Sequence, residues 1–430
     1  MWLPASVAAQ VSYGPKADSL LARLQRADYA SATHLFSQEL AGKLDSVQLG
    51  LIWEGLQLNY SSYQSAGDDS SFIAAKRLVY LRKLQFERLQ MRMELQFNEQ
   101  QQISSFKIQP LSNAGLYVAP AYDDPAQYRE FSLRVTHDTI VLPGLLTLPT
   151  QCKQCPLVLL LPDLGPQDKD HSMGPTKMFR DLAVGLAAQG IATYRFDKRS
   201  LRYGPEMMAD LRMLTLETEL LEDAVVALHL LKKVQEIDTN RWFVLGVGLG
   251  GLAAGELAKR SPVPLAGLVV VGSSPRPFPD QIFDQYLELL AEEPETTAKR
   301  QALDRLAAQV KLAKSYKLHA NHSADSLPLQ LPAPYWLYFQ KHDLVQAFWL
   351  TQTPVWFVRG TLDYQSQATD LALWEQRLLG RPKLSFHSFD GLNHLMMAID
   401  DPRAAVQYKQ PAHVSQEFIT TLAAYLNKLR

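Results

Sequence analysis

The chain has 430 residues, with 43 Lys and Arg against 44 Asp and Glu and a formal net charge of −1. That balance excludes the basic excess of an electrostatic nucleic-acid binder. No apolar run reaches the roughly 18 residues that a membrane-spanning helix needs, and a hydrophobic content of 47% is that of an ordinary folded protein long enough for two or three domains.

In chain order, residues 1–10 have the form of the tail of a secretory signal. Val7-Ala8-Ala9 ahead of Gln10 fits the small-residue cleavage rule. The expected location is therefore periplasmic or secreted, with a cytoplasmic protein carrying an ordinary N-terminus as the alternative. Residues 16–62 are predicted helical, because Leu20, Leu21 and Leu24, then Phe36, Leu40 and Leu44, recur at three- and four-residue spacing. Residues 66–71 (Ala-Gly-Asp-Asp-Ser-Ser) are predicted to turn. Extended segments follow. Leu84 and Phe86, then Leu89, Met91, Met93, Leu95 and Phe97, alternate with polar residues, with one slip of phase that reads as a bulge. After a break at residues 100–102 the pattern resumes over 103–108. Helices followed by antiparallel strands make residues 16–110 a small α+β domain, and residues 111–128, with Pro120 and Pro125, a linker.

From residue 129 the pattern changes. An opening hairpin is predicted over 131–135 and 140–148. Short, wholly apolar runs follow at 157–161, 192–196, 243–245, 268–271, 355–358 and 384–386, most of them separated by helical segments. Such runs indicate a mostly parallel sheet with helices on both faces. Residues 214–234 are expected to form one helix and residues 237–240 the turn after it. The stretch 276–353, charged and then proline-rich, reads as a helical cap inserted between two strands. Cys152 and Cys155 are the only cysteines. A strand rather than a helix follows them, which argues against a redox pair. A local disulfide and two separate thiols both remain open.

The strand at 242–245 runs into Gly246-Val247-Gly248-Leu249-Gly250-Gly251 and then a helix. This is the form of the nucleophile elbow, strand, tight Gly-x-?-x-Gly turn and helix, with Gly248 where the attacking side chain belongs. Asp363 follows the run 355–358, and His394 follows 384–386 within Asp390-Gly391-Leu392-Asn393-His394. Elbow, acid and histidine stand in the triad order of the α/β-hydrolase fold. On these motifs, with Gly165-Pro166-Gln167-Asp168-Lys169-Asp170, Phe196-Asp197-Lys198-Arg199 and Tyr335-Trp336, residues 130–430 resemble bacterial α/β-hydrolases related to dienelactone hydrolases and esterases. The N-terminal domain resembles the nuclear-transport-factor-2-like modules that precede such hydrolases.

The resemblance implies carboxylic ester hydrolysis by a serine, with Asp363 as acid, His394 as base, and the N–H groups of Leu164 and Leu249 as oxyanion hole. Tyr364 and Trp336 are expected to line the pocket with Asp163. Gly248 has no atom with which to attack. Where relatives carry His-Gly-Ser-Gly-Pro, this chain has Pro162-Asp163-Leu164-Gly165-Pro166, so a carboxylate stands close to a developing oxyanion. Two lesions in one site point to a hydrolase-like protein that binds a small ester-like or acid-like ligand, or a protein partner, without turnover. The alternative is an esterase or lactone hydrolase that uses His394 and Asp363 with water or another nucleophile. Ser273 and Ser274 are candidates for that role, but no base is placed for them. No ligand spacing supports a metal at Asp168, Asp170 and His171, and nothing in the pattern calls for a cofactor. Neither the oligomeric state nor the substrate is legible.

Overall fold

The computed structural model describes residues 13–429 other than 61, 75–76, 87–89, 111–116, 210–213, 405 and 409. The signal-like segment at residues 1–10, Leu89 and part of the linker fall outside the described residues. The chain divides into two compact units, Met1–Tyr117 and Val118–Arg430.

In the first unit, helices α1 (Gly14–Gln25), α2 (Tyr29–Thr33), α3 (Gln38–Lys43) and α4 (Ser46–Tyr60) precede an antiparallel sheet. Its strands β1 (Tyr63–Ala74), β2 (Arg77–Phe86), β3 (Gln90–Phe97) and β4 (Ile103–Pro110) lie in sequence order. Leu20, Leu24, Trp53, Leu84, Phe86 and Met93 share its core. Two details differ from expectation. The phase slip between Phe86 and Met91 is the passage from β2 to β3, which pair antiparallel. Residues 66–71 do not turn but lie within β1, with a register shift between Ala66 and Asp69. Their polar character suits an edge strand, where Tyr80 Oη donates to Asp69 at 2.7 Å and Lys83 pairs with Asp68 at 3.4 Å.

The second unit has the α/β-hydrolase fold. Strands β5 (Tyr128–Ser132) and β8 (Gly144–Pro149) pair antiparallel, and β6 (Val135–His137) with β7 (Ile140–Leu142) forms a separate small hairpin. The single second strand expected over 140–148 is broken at Pro143, whose carbonyl accepts instead from Asp197 N–H at 2.9 Å. Then come β9 (Cys155–Leu161), the two-residue strands β10 (Ser172–Met173) and β11 (Thr176–Lys177), β12 (Ala192–Phe196), β13 (Ile237–Val247), β14 (Gly267–Val271), β15 (Val355–Gly360) and β16 (Leu384–Phe389). The main sheet runs β16-β15-β14-β13-β9-β12-β8-β5, parallel from β16 to β12. Residues 237–240 belong to β13, where Ile237 faces Cys155 before a register shift to Trp242. The expected helix over 214–234 is a π-helical turn, Glu217–Leu221, continued by α7 (Glu222–Leu231). Cys152 and Cys155 are joined as a disulfide.

The central strands are apolar because both faces are covered. One face packs Leu157, Leu159, Val244 and Val270 against α8 (Leu249–Arg260) and the segments after β14. The other packs Val158, Leu160, Phe243 and Val269 against α5 (Met178–Ala187) and α14 (Gln416–Lys428). Helix α6 (Arg199–Ala209) follows β12, α9 (Phe278–Leu289), α10 (Thr297–Ala313), α11 (Ala333–Lys341) and α12 (Leu344–Leu350) lie between β14 and β15, and α13 (Ala368–Arg377) follows β15. Among the described residues no helix is long and apolar enough to cross a membrane.

The strand order sets where the site lies. The chain leaves β9 for β12 on one side and then crosses to β13 on the other, so β9 and β13 are neighbours with Leu161 opposite Gly246. Their carboxyl ends open side by side at the topological switch point, where sheets of this kind place their ligands.

Candidate active site

The turn after β13 has the elbow conformation. Gly248 caps α8 at φ 50° and ψ −115°, a region that strains any residue with a side chain. Its N–H donates to Val271 O at 2.9 Å, and Ser273 Oγ donates to its carbonyl. Ser273 is thus a structural donor to the elbow, and Ser274 Oγ accepts from Arg276 N at 3.2 Å.

Asp363 and His394 arrive from the ends of β15 and β16. Their loop ends are fixed by backbone contacts. Arg359 Nη2 donates to the carbonyls of Asp363 at 3.0 Å and Ser366 at 2.7 Å, and Asn393 Oδ1 accepts from the N–H groups of Leu395 and Met397. Asp363 Oδ1 accepts from Gln365 N and Ser366 N, which leaves Oδ2 to meet His394 Nδ1 at 2.9 Å. Both side chains are buried, 0% and 2% exposed. Gly272, at φ 59°, makes room for them: a Cβ there would come within 2.6 Å of His394 Nδ1.

Asp163 follows β9, and its carboxylate reaches across to the elbow. Oδ1 accepts from Leu249 N–H at 2.6 Å. Oδ2 lies 3.4 Å from His394 Nε2, at ion-pair range, and Nε2 has no hydrogen-bond partner. The N–H of Leu164 also favours the charged carboxylate. The two N–H groups expected to form an open oxyanion hole are therefore turned to an internal ligand. Asp163, expected to line the pocket close to the oxyanion position, lies between the elbow and His394.

The electrostatics follow from this stacking. Burial alone would lower the pKa of His394, but Asp363 and Asp163 on its two sides raise it to about 10. Burial opposes the charge on Asp163, yet His394 and the N–H groups of Leu249 and Leu164 hold its carboxyl below the usual range. At neutral pH His394 is thus held as an imidazolium beside the Asp163 carboxylate.

Other residues adjoin the site without having been singled out as site residues by the sequence. Lys198, fully buried, donates to the Asp163 carbonyl at 3.0 Å and pairs with buried Glu219 at 3.2 Å. Tyr335 Oη on α11 donates to Glu219 at 2.8 Å. A chain of contacts thus runs from the cap through the π-helical turn to the loop bearing Asp163. Lys198 lies within the Phe196-Asp197-Lys198-Arg199 segment that carries part of the resemblance, whereas Glu219 sits in what reads as an ordinary helix. His171 is buried, and burial lowers its pKa to about 4, so it is neutral beside Asp163 and His394.

Asp168 and Asp170 are engaged elsewhere: Asp168 accepts from Ser172, and Asp170 pairs with Lys177 and Arg195. Among the described residues no His, Cys, Asp and Glu side chains group as a metal-ligand set. Tyr364 is half-buried; burial first, then Asp363 and Asp163, raise its pKa. Trp336 departs from expectation. It stacks with Phe278 at a cavity of about 350 Å³ whose walls include Leu252, Phe339 and Val345 but none of Gly248, Asp163, Asp363 or His394. The aromatic residues of α9 and α11 stack on one another there, within the core cluster on the α8 face of the sheet.

No protein-family model matches the chain. It is similar to the esterase EstD of Thermotoga maritima, 27% identical over 403 residues that span 93% of this chain and 92% of that protein. Among solved structures, Est1E from Butyrivibrio proteoclasticus superposes with a TM-score of 0.45 at 14% identity, covering 69% of this chain and 99% of that one. A dienelactone hydrolase from Anabaena variabilis superposes with a TM-score of 0.40 at 16% identity, covering 71% and 100%.

Proposed function

We propose that the second unit is a carboxylic-ester-hydrolase scaffold that has lost acyl transfer through the elbow and keeps a ligand-binding site. The observation that carries this reading is the hydrogen bond from Leu249 N–H to Asp163 Oδ1 at 2.6 Å. An ester carbonyl approaching the elbow needs that N–H, and it finds a carboxylate already there. Similarity to EstD along most of both chains supports the ester-hydrolase origin. Gly248 supports the loss of turnover.

A second reading, hydrolysis by water activated on His394, is favoured by the intact Asp363–His394 hydrogen bond at 2.9 Å. Against it, an imidazolium with a pKa of about 10 has no lone pair with which to take a proton at neutral pH. The first unit is read as a packing module of the nuclear-transport-factor-2-like type with no chemistry of its own, and the protein as exported.

Steady-state and burst hydrolysis of p-nitrophenyl acetate by the purified protein, beside His394→Ala, tests the main reading. No turnover above the variant is expected. Turnover abolished by His394→Ala would sink it in favour of the second.

A further inference from the structure

Asp163 fills the elbow, yet the same helix borders a cavity one turn further on. Leu252 N–H donates to Gly248 O at 3.1 Å, and Leu252 lines the cavity of about 350 Å³ walled by α9, α11 and the start of α12. The apolar part of that wall is aromatic. Phe278 stacks on Phe339 at 4.8 Å and 30° and on Trp336 at 5.8 Å and 27°. The volume is far larger than a single water needs and lies within the range of small-molecule sites.

The polar part of the wall decides what kind of molecule fits. It carries four charged side chains, Arg276, Lys314, Asp343 and Arg377, and each already has its counter-charge. Arg276 pairs with Asp370 at 2.8 Å and with Asp284, Lys314 with Asp280 at 2.7 Å, and Arg377 with Asp343 at 3.7 Å. An ionic ligand would have to break one of these pairs or lie unpaired against aromatic rings, and both are unfavourable. Two polar groups keep free capacity among the described residues. One is the imidazole of His342, which stacks on Tyr338 at 4.3 Å and has no hydrogen bond at either ring nitrogen. The other is Oε1 of Gln340, whose amide nitrogen donates to Ala313 O at 2.7 Å. An imidazole N–H and an amide oxygen together suit a hydroxyl group, which accepts from one and donates to the other.

We propose that this cavity is a binding site separate from the elbow, and that it takes an uncharged monocyclic aromatic compound bearing a hydroxyl group. The ring packs against Phe278, Phe339 and Trp336, and the hydroxyl bonds to His342 and Gln340. The proposal rests on the reading that the scaffold binds a ligand without acyl transfer, and it moves that ligand from the histidine–acid pair to the cap.

Isothermal titration of the full chain with 4-methylphenol, with the anion 4-methylbenzoate and with the cation 4-methylbenzylammonium tests it. 4-Methylphenol should bind at one site per chain, and each ion roughly tenfold or more weakly. His342→Phe keeps a ring against Tyr338 but removes the nitrogens. It should weaken 4-methylphenol by about two- to tenfold and leave toluene unchanged. Val345→Trp, within the wall, should fill the cavity and abolish binding of both. Equal affinity for the three probes, no binding of 4-methylphenol, equal losses for 4-methylphenol and toluene in His342→Phe, or undiminished binding by folded Val345→Trp would overturn the proposal. The probe series and His342→Phe decide the matter even if Val345→Trp does not fold. Binding lost in His394→Ala but kept in Val345→Trp would place the ligand at the elbow and overturn this inference alone. Turnover of p-nitrophenyl acetate abolished by His394→Ala would instead sink the loss of acyl transfer, so the two failures are distinguishable.

Discussion

Gly248 and Asp163 claim the same space: a Cβ on the glycine would meet the aspartate carboxylate at 2.1 Å, and at φ 50° that glycine holds a backbone few side chains tolerate. Restoring the serine alone is therefore unfavourable twice over. Gly248→Ser should melt at a lower temperature than the parent, with about 1–3 kcal/mol from backbone strain and a further cost from displacing Asp163. It should hydrolyse p-nitrophenyl acetate poorly. Gly248→Ser with Asp163→Gly should exceed the single variant by about 10²–10³ in kcat, the usual worth of an oxyanion donor. Equal rates for the two variants would show that Asp163 does not block the hole.

Ionisation of His394 gives a second prediction. Its folded-state pKa of about 10 stands above the ordinary 6.5. The stabilisation it represents is complete below about pH 6.5 and is lost as the pH climbs through 10. Asp163→Asn removes one of the raising charges, so the His394 pKa should fall and the loss of melting temperature between pH 6.5 and 10 should be smaller than in the parent. Histidine resonances followed by NMR across that range check both statements. A His394 signal titrating near 10 in Asp163→Asn would refute the assignment.

Lys198 and Glu219 are 0% and 3% exposed, so each depends on the other. Lys198→Met should destabilise the fold by about 3–5 kcal/mol by leaving a buried carboxylate unpaired. The triple change Lys198→Met, Glu219→Leu and Tyr335→Phe, which removes the whole polar set, should recover most of that. Denaturant melts of the single and triple variants measure the difference.

Fluorophosphonate probes should leave the chain unlabelled. Ser273 donates its hydroxyl to the Gly248 carbonyl, and Ser274 accepts from Arg276, so neither has a base. Mass spectrometry that located a stoichiometric adduct on either serine would reveal a nucleophile missed above.

The central strands were legible because burial on both faces leaves nearly pure runs of Val, Leu and Phe, and the order of Gly248, Asp363 and His394 along the chain follows from where those strands end. What stayed hidden depends on contacts between distant segments. The Asp163 side chain finds its partner 86 residues away on Leu249, and no local pattern shows that it points inward. Residues 66–71 carry turn-forming types but lie in an edge strand, where polar side chains cost little. Trp336 adjoins Tyr335 in sequence, yet the helix directs Tyr335 to Glu219 and Trp336 to Phe278. Glu219 reads as a helical surface residue until the π-helical turn brings it against Lys198.

The disulfide between Cys152 and Cys155 lies at the opposite end of β9 from Asp163, and Cys155 N–H bonds to Glu236 O at 2.8 Å where β13 begins. The two strands whose far ends meet at Asp163 and Leu249 are thus tied at their near ends by a main-chain hydrogen bond, while the disulfide closes a short loop at the entry to β9. The two strands stay paired up to Leu161 and Gly246, so a shift in their register at the near end would carry along to the tips. Reduction of a bond eight residues from Asp163 would therefore loosen the entry to the strand that carries the carboxylate.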